Sequence, residues 1–234
     1  MTENTATTKT IGILGGTGKE GKGLAYRWIK AGYRVLIGSR QSEKAEAAAA
    51  ELRQLAGGGE VSGAANAAVA QQADLLVLTV PYSAHRETLE ALKPYLQGKI
   101  LVDVTVPLVP PRVTRVQMPP EGSAAQEAQA VLGEGVQVVS AFQNVSYEKL
   151  LSDETVECDV LVCGGNKAAR AQVIALVQAA GLVGYDAGPI ENSVVAEGLT
   201  SVLIGINKQF GVQSAGIKIT GVPVGKDPER RQSN

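Results

Sequence analysis

The sequence is poor in the two residues that most often bind metals or form disulfides. It contains two cysteines and one histidine among 234 residues. Cys158 and Cys163 are five residues apart in one predicted strand, and this odd separation directs their side chains to opposite faces, so we expect no disulfide between them. With His85 alone, no spacing is typical of a metal site. We therefore expect a reduced, cytoplasmic protein without a bound metal.

Aromatic residues, net charge and long apolar runs are also scarce. One Trp, two Phe and six Tyr provide no platform for stacking bases, and the formal net charge is −1. No apolar run reaches the roughly 18 residues of a membrane span. The first ten residues, MTENTATTKT, lack the basic start and apolar stretch of a signal peptide. We expect small-molecule partners, and neither nucleic acid nor a membrane.

A glycine-rich loop near the N-terminus is the most informative positive feature. A predicted strand, Thr10–Leu14, leads into a G-x-G-x-x-G pattern at Gly16, Gly18 and Gly21, and a predicted helix follows. Glycines at these positions allow a tight turn, the approach of a pyrophosphate and close packing of helix on strand. The helix N-terminus adds free N–H groups that favour an anion. The pattern indicates a dinucleotide site.

The end of the next predicted strand indicates which dinucleotide. An NAD site usually places Asp or Glu about 20 residues after the glycines, to bind the ribose 2′-hydroxyl. Here the stretch reads GSRQS, without an acid, and Lys44 follows one helical turn later. Arg40 can clamp a 2′-phosphate with its planar fork, and Ser39 can add a hydroxyl. We therefore predict NADP(H), the alternative being that Arg40 is an ordinary solvated charge.

Strand and helix patterns alternate along the chain. Several strands, such as LLVLTV and ILVDVTV, are continuous apolar runs, which are typical of a parallel sheet buried on both faces. The predicted strands are Thr10–Leu14, Arg34–Gly38, Glu60–Gly63, Asp74–Val80, Lys99–Val104, Val136–Ala141, Val156–Cys163 and Leu182–Asp186. The predicted helices are Lys19–Ala31, Ser42–Ala56, Ser83–Leu92, Ala124–Leu132, Lys167–Ala180 and Ser193–Phe210. The predicted fold is a Rossmann-type, doubly wound α/β sheet, mainly parallel.

The alternation also suggests how the chain is divided. We predict a disordered tail over residues 1–8, an NADP-binding domain over 9–145, a smaller C-terminal α/β part over 146–220 and a second tail over 221–234. The segment 106–122 contains five prolines and fits neither strand nor helix. A loop of that length is often part of an active site.

In a doubly wound sheet, ligands bind at the carboxyl ends of the strands. The residues that follow these ends are the candidates for binding. They are Gly15, Gly16, Thr17, Gly18, Lys19 and Glu20; then Ser39, Arg40 and Lys44; then Thr79, Val80 and Pro81; then Val104, Thr105 and Val106; and finally Phe142, Gln143, Asn144, Val145, Ser146 and Tyr147. Outside the first two groups, an ordinary strand-to-loop turn explains them equally well.

A protein group that moves a proton is not evident among these candidates. A dehydrogenase of an alcohol or ketone needs one as the hydride moves. His85 has Ala84 and Arg86 as neighbours and no group to orient it, so we expect a surface histidine. Hydride transfer between two rings, a nicotinamide and a flavin-like partner, requires no protein acid. The protein has to hold the donor and acceptor carbons close together and exclude water from them. Apolar residues such as Val145, Ile204 and Ile206 suit such a pocket, although each fits an ordinary core as well.

The chain resembles the NADPH-dependent F420 reductases. The segments that carry the resemblance are IGILGGTGKEGKGLA, VLIGSR with Lys44, LLVLTVP, VVSAFQNVS, DVLVCGG, LVGYDAGPIENS and SAGIKI. The resemblance implies a Rossmann domain with a smaller C-terminal part, a homo-oligomer such as a dimer, and hydride transfer between NADP(H) and the deazaflavin coenzyme F420. In that family, the two rings stack in a cleft between the two parts.

The resemblance also implies roles for individual residues. Thr17, Ser39, Arg40 and Lys44 would hold the phosphates, and Val80 and Pro81 would flank NADP. Gln143, Asn144 and Val145 would lie at the nicotinamide and position the hydride, and Ala141 would belong to the cofactor-binding residues. The residues that would face the deazaflavin are Leu203, Ile206 and Asn207.

One segment departs from the archaeal pattern of this family. Gln143-Asn144-Val145 replaces His-Thr-Ile, and FQNVS is closer to the cytosolic domains of membrane ferric reductases. Three alternatives therefore stay open: an NADPH-dependent flavin or ferric reductase, a dehydrogenase of a small organic substrate, and a non-catalytic NADP-binding sensor.

Overall fold

The computed structural model describes residues 9–222, and these form an α/β fold around one mixed sheet. The eight strands lie in the order β3-β2-β1-β4-β5-β6-β7-β8, and the pairing is parallel except between β6 and β7. The strands are β1 (Thr10–Leu14), β2 (Arg34–Ser39), β3 (Val61–Ala65), β4 (Leu75–Leu78), β5 (Ile100–Asp103), β6 (Gln137–Ser140), β7 (Asp159–Gly164) and β8 (Val183–Asp186). The predicted Rossmann-type fold class is confirmed.

Helices connect the strands and cover both faces of the sheet. They are α1 (Lys19–Lys30), α2 (Ser42–Leu55), α3 (Asn66–Gln72), α4 (His85–Leu96), α5 (Ala124–Leu132), α6 (Lys167–Ala179) and α7 (Ser193–Phe210). Two of them have a side-chain N-cap. Ser123 accepts a hydrogen bond from the Gln126 N–H at the start of α5, and Asn166 accepts one from the Ala169 N–H at the start of α6. Gly211, with φ of 66°, ends α7 in a left-handed conformation.

The sheet is buried on both faces, which explains its apolar strands. Neighbouring residues of β1 point into different cores: Ile13 packs with Trp28, whereas Leu14 packs with Leu89 of α4. Trp28 of α1 is fully buried, and its indole N–H donates to the Leu176 carbonyl of α6 at 2.9 Å. This contact attaches the C-terminal elements to the nucleotide-binding half of the sheet.

The structure adds one helix to those predicted and shifts the bounds of another. Helix α3 was not predicted. Only Val69 and Ala70 of its seven residues are buried, and so short a helix shows no recognisable apolar periodicity. The helix predicted over Ser83–Leu92 begins at His85 and continues to Leu96, with Pro94 inside it. Proline deprives a helix of one N–H donor, but here the buried Leu92 and Leu96 retain the last turn.

The sheet continues across the boundary that we predicted between the NADP-binding domain and the C-terminal part. Strand β7, from the predicted C-terminal part, pairs with β6 through Ser140 and Cys163. The predicted tail over 1–8 and all but Gly221 and Val222 of the tail over 221–234 lie outside the described residues. Cys158 and Cys163 are buried free thiols, but the prediction that they share one strand is wrong, since Cys158 precedes β7 by one residue. None of the helices within residues 9–222 has both the length and the apolar character needed to span a bilayer.

Gly63 provides a test of the packing of α2 on β3. A Cβ atom at this position would overlap the backbone of Ala45 and Glu46 in α2, which cannot rotate away as a side chain could. We expect Gly63→Ala to lower the free energy of unfolding by about 1–3 kcal/mol, measured by urea denaturation. Gly165→Ala is the control, since a Cβ there meets no atom within 4 Å. An equal loss in both variants would contradict this account.

Candidate functional site

A cavity of about 710 Å³ lies at the carboxyl ends of β1, β2, β4 and β5. This is the edge of a doubly wound sheet at which ligands bind. The cavity is lined by Gly15, Thr17, Gly18, Lys19, Glu20, Ser39, Arg40, Gln41, Lys44, Asn66, Thr79, Val80, Pro81, Tyr82, Ala84, Thr88, Val104, Thr105, Val106, Leu108 and Tyr147. Most of the first four groups of sequence candidates therefore meet in one place.

The glycines of the loop differ in whether they have room for a side chain. A Cβ at Gly21 would approach the Cα of Gly16 to 2.7 Å, so these two glycines let α1 pack directly on the loop. A Cβ at Gly18 would meet no atom within 4 Å, which leaves the backbone there open to the cavity. Gly15 donates its N–H to Asn66 Oδ1 at 3.2 Å. The loop has the close packing and the open backbone that a pyrophosphate site requires.

The end of this cavity that lies beside the carboxyl end of β2 is basic. Arg40 is exposed directly after β2, and Lys44 and Gln41 also line the wall. Ser39 is buried, and its hydroxyl accepts a hydrogen bond from the Gln41 N–H at 3.2 Å. No carboxylate lines this end of the cavity among the described residues. A phosphate would therefore meet two cations there without a repelling acid.

A second cavity, of about 260 Å³, adjoins the first. The two share five wall residues: Glu20, Val104, Val106, Leu108 and Tyr147. The other residues that line the second cavity are Phe142, Gln143, Asn144, Val145, Ser146, Thr200, Leu203, Ile204, Asn207, Gln213 and Ala215. Its wall thus comes from the turn after β6, from α7 and from the residues that follow α7. The mostly apolar lining suits a flat ring.

The turn after β6 is held in an unusual conformation. Phe142 has a φ of 75°, which is rare for a residue with a side chain, and its ring packs edge-on to Trp28 at 5.9 Å. Gln143 Nε2 donates to the Asp103 carbonyl at 2.7 Å, and Asn144 Nδ2 donates to the Ala196 carbonyl at 2.8 Å. These contacts fix Val145, which is buried, in the wall of the second cavity.

Besides Oγ1 of Thr105, two buried oxygen atoms at this site have no hydrogen-bond partner among the described residues. One is Oε1 of Gln143, whose amide nitrogen is already used. The other is Oε1 of Glu20, in the wall that both cavities share. Glu20 is only half-buried as a residue, but its carboxyl end is enclosed, and this burial raises its pKa from 4.5 to about 8. Unpaired buried polar atoms beside a cavity are available to a ligand.

His85 is not the surface residue that the sequence suggested. It is fully buried, and its Nε2 lies 2.7 Å from Oδ2 of Asp103, at the end of β5. Burial lowers the pKa of His85, but the carboxylates of Asp103 and Glu127 together outweigh this effect and leave the pKa raised. The partner is 18 residues away along the chain, so no local pattern could reveal it. Asp103 Oδ1 also accepts from the Thr105 N–H at 2.9 Å, which orients the cavity wall.

Three predicted site residues do not line either cavity. Gly16 is enclosed and donates its N–H to the Gly38 carbonyl, Ala141 is fully buried, and Ile206 is 37% exposed on α7. Conversely, Asn66, Tyr82 and Thr200 line the cavities but were not predicted. Asn66 follows β3 directly, so the strand-end rule would have found it had helix α3 been recognised.

A glycine loop at the head of a helix, a basic end without an acid and a second cavity beside the first define a dinucleotide-dependent oxidoreductase of the Rossmann class. The family described as "NADP oxidoreductase coenzyme F420-dependent" matches residues 10–107. The F420-dependent NADP reductase of Methanocaldococcus jannaschii is 41% identical over 223 residues, which cover 92% of this chain and 99% of the relative. The chain therefore belongs to the family of F420-dependent NADP reductases.

Two further similarities are weaker. Metalloreductase STEAP2 of Mus musculus is 28% identical over 191 residues, which cover 81% of this chain but only 35% of that protein. Among solved structures, a hypothetical protein from Sinorhizobium meliloti superposes with a TM-score of 0.65 at 20% identity, over 96% of this chain and 98% of the other. This structural likeness extends the fold over the whole described chain, beyond the residues that the family description matches.

Arg40 provides the test of the basic end. Because a charged hydrogen bond to phosphate is worth about 1.5–3 kcal/mol, we expect Arg40→Ala to weaken NADPH binding by that amount and to change NADH binding little. Isothermal titration of both nucleotides measures the difference. Arg34→Ala, at the opposite end of β2, is the matched control, since Arg34 is exposed but lies outside the cavity. Equal losses for NADPH and NADH would exclude Arg40 from the 2′-phosphate.

Proposed function

We propose that this protein transfers a hydride reversibly between NADP(H) and the deazaflavin coenzyme F420. The observation that carries the proposal is the shared wall: one cavity has the features of an NADP site, and an adjoining one is mostly apolar and large enough for a ring. Hydride transfer requires donor and acceptor carbons at about 3–3.5 Å, so the two ligands must occupy adjoining sites. Membership of the F420-dependent NADP reductase family supports the same reaction.

In this proposal the larger cavity binds NADP(H). The loop and Thr17 receive the pyrophosphate, while Ser39, Arg40 and Lys44 receive the 2′-phosphate. The remaining residues on this side that we assign to the cofactor are Gly15, Gly16, Gly18, Lys19, Glu20, Thr79, Val80, Pro81 and Ala141. Of these, Gly16 and Ala141 are enclosed, so their part is to shape the backbone of the site.

The turn after β6 positions the nicotinamide in this scheme. Val145 packs on the ring, and Gln143 is placed to accept a hydrogen bond from an amide or ring N–H through its unpaired Oε1. Asn144 has its amide committed to α7, so we assign it to holding the turn. On the F420 side, Leu203 and Asn207 line the second cavity. Ile206 would reach the ligand only from the outer face of α7.

A single optical experiment tests the reaction. Purified protein, NADPH and F420 are mixed, and the loss of deazaflavin absorbance is followed; FMN and FAD replace F420 in parallel. We expect rapid turnover with F420 and little with the flavins. Turnover with FMN alone would favour a flavin or ferric reductase, to which the likeness to a metalloreductase also points. Tight NADPH binding without turnover of any acceptor would favour a non-catalytic sensor.

We also propose that the protein is a homodimer. Helix α7 carries an apolar face that no described element covers: Val195, Val202, Ile206 and Phe210 follow one another at helical spacing, and Phe210 is 68% exposed. Isolated exposed apolar residues are normal, but a contiguous stripe is typical of an interface. A second copy of the same face is its simplest complement, because most homo-oligomers are twofold-symmetric.

Light scattering after gel filtration tests this assembly. We expect the wild-type protein at twice its chain mass of 24.3 kDa. Val202→Glu places a charge in the centre of the apolar face and should yield the monomer. Leu55→Glu, which alters an exposed apolar residue at the end of α2, should leave the dimer intact. A wild-type monomer, or dissociation by both substitutions, would exclude this interface.

A further inference from the structure

We propose that the Glu20 carboxyl is the acid–base group that exchanges a proton with the deazaflavin while the hydride moves. This inference rests on the proposed reaction and goes beyond it, because it assigns a proton donor to a site whose sequence suggested none. The net reaction requires one: reducing the deazaflavin by NADPH consumes a hydride and a proton.

The position of Glu20 is the first argument. It is one of five residues in the wall common to both cavities, and the others are Val104, Val106, Leu108 and Tyr147. Among these five, only Glu20 and Tyr147 carry a proton that can be transferred. Tyr147 is 37% exposed and lies under the Lys19 ammonium group, whose nitrogen is 4.9 Å from the ring centroid. Glu20 is therefore the enclosed candidate.

The unpaired state of its carboxyl is the second argument. Oε1 of Glu20 is buried and has no hydrogen-bond partner among residues 9–222. An unpaired buried polar atom destabilises the folded protein, and a hydrogen bond to a bound ligand would remove this cost. Burial of the carboxyl also raises its pKa to about 8. It therefore carries a proton at neutral pH and can release it near that pH.

The charges around Glu20 do not supply another explanation. On its own helix, Lys19 pairs with Glu148 at 3.6 Å and Lys22 pairs with Glu51. The titratable groups that line the same cavity from other elements are Arg40, Lys44, Tyr82 and Tyr147. None of them forms an ion pair or hydrogen bond with Glu20 in the described part of the chain, and burial is the sole cause of its raised pKa.

The step balances in atoms and charge. The C–H bond of the reduced nicotinamide breaks and its electron pair moves with the hydrogen to a ring carbon of the deazaflavin. The O–H bond of Glu20 breaks and the proton moves to a ring nitrogen. A nicotinamide cation and the Glu20 carboxylate are then left, and a proton taken up from the solution restores the carboxyl, so that the net reaction consumes one proton. In the reverse direction, the carboxylate accepts the proton.

Electrostatics favour this arrangement. Hydride departure creates a positive charge on the nicotinamide, and proton transfer creates a negative charge on Glu20 in the adjoining wall. Opposite charges that appear together in a dry site stabilise each other more than they would in water. Before the reaction, neutral Glu20 does not repel the phosphates bound at the start of α1.

Single-turnover kinetics test the inference. In stopped-flow experiments with NADPH and F420 from pH 5 to 10, the wild-type rate of hydride transfer should fall as the pH rises through about 8. Glu20→Gln keeps the shape but has no carboxyl proton to transfer, and we expect its rate to be lower by about 100-fold or more and to lose this pH dependence. Glu148→Gln removes the neighbouring carboxylate outside both cavities and should behave as the wild type.

A second measurement requires neither ligand nor turnover. The folded pKa of Glu20, about 8, exceeds the ordinary value of 4.5. The stability that this group contributes is therefore fully present below pH 4.5 and is lost as the pH rises through 8. The free energy of unfolding of the wild type, minus that of Glu20→Gln, should decrease over this interval and then level off. Other buried groups, such as His85 and Glu197, are common to both proteins and cancel.

The outcomes separate this inference from the reaction on which it rests. A wild type that does not transfer hydride to F420 would refute the proposed function, whatever the Glu20 variant does. An active wild type with an equally active Glu20→Gln variant and the same pH profile would refute only the role of Glu20. If Tyr147→Phe abolished the pH dependence while Glu20→Gln preserved it, the proton donor would be Tyr147.

Discussion

The contact between the glycine loop and the first turn of α1 determines where everything else at the site can lie. Gly21 sits against Gly16 with no room for a Cβ, so the helix begins directly at the carboxyl end of β1. This brings the first turn of α1 to the larger cavity and leaves Glu20 in the wall that the two cavities share. Any larger residue at Gly21 would push the helix, and with it Glu20, away from both cavities.

The second cavity depends on a buried network at the end of β5. His85 and Asp103 are both inaccessible to solvent and 2.7 Å apart, and Asp103 holds Thr105 through its side chain and Gln143 through its carbonyl. Removing one member of such a pair leaves a buried charge without compensation, which is strongly destabilising. The histidine that lacked any visible orienting group in the sequence is therefore part of the frame that supports the turn after β6.

Whether a feature could be predicted from the sequence depends on how far apart along the chain its interacting residues lie. The glycine loop, Arg40 and the apolar strands are local patterns, and the structure places them as expected. Both ends of helix α7 were predicted, because its apolar pattern repeats over 18 residues and Gly211 terminates it. By contrast, the His85–Asp103 pair, the contact of Asn144 with Ala196 and the enclosure of Glu20 join residues that are distant along the chain. No periodicity encodes these contacts, since folding alone brings the partners together.

Helix α7 connects the site with the outer surface of the protein. Its inner face contributes Thr200, Leu203 and Asn207 to the second cavity, and Thr200 donates to the Gln143 carbonyl at 2.8 Å. Its outer face carries Val202, Ile206 and Phe210, which no described element covers. The two faces belong to one continuous helix, so a displacement of α7 would move both of them. In the proposed dimer, α7 would therefore join the interface to the second cavity, with Ile206 on the outer side of the helix and Leu203 on the inner side.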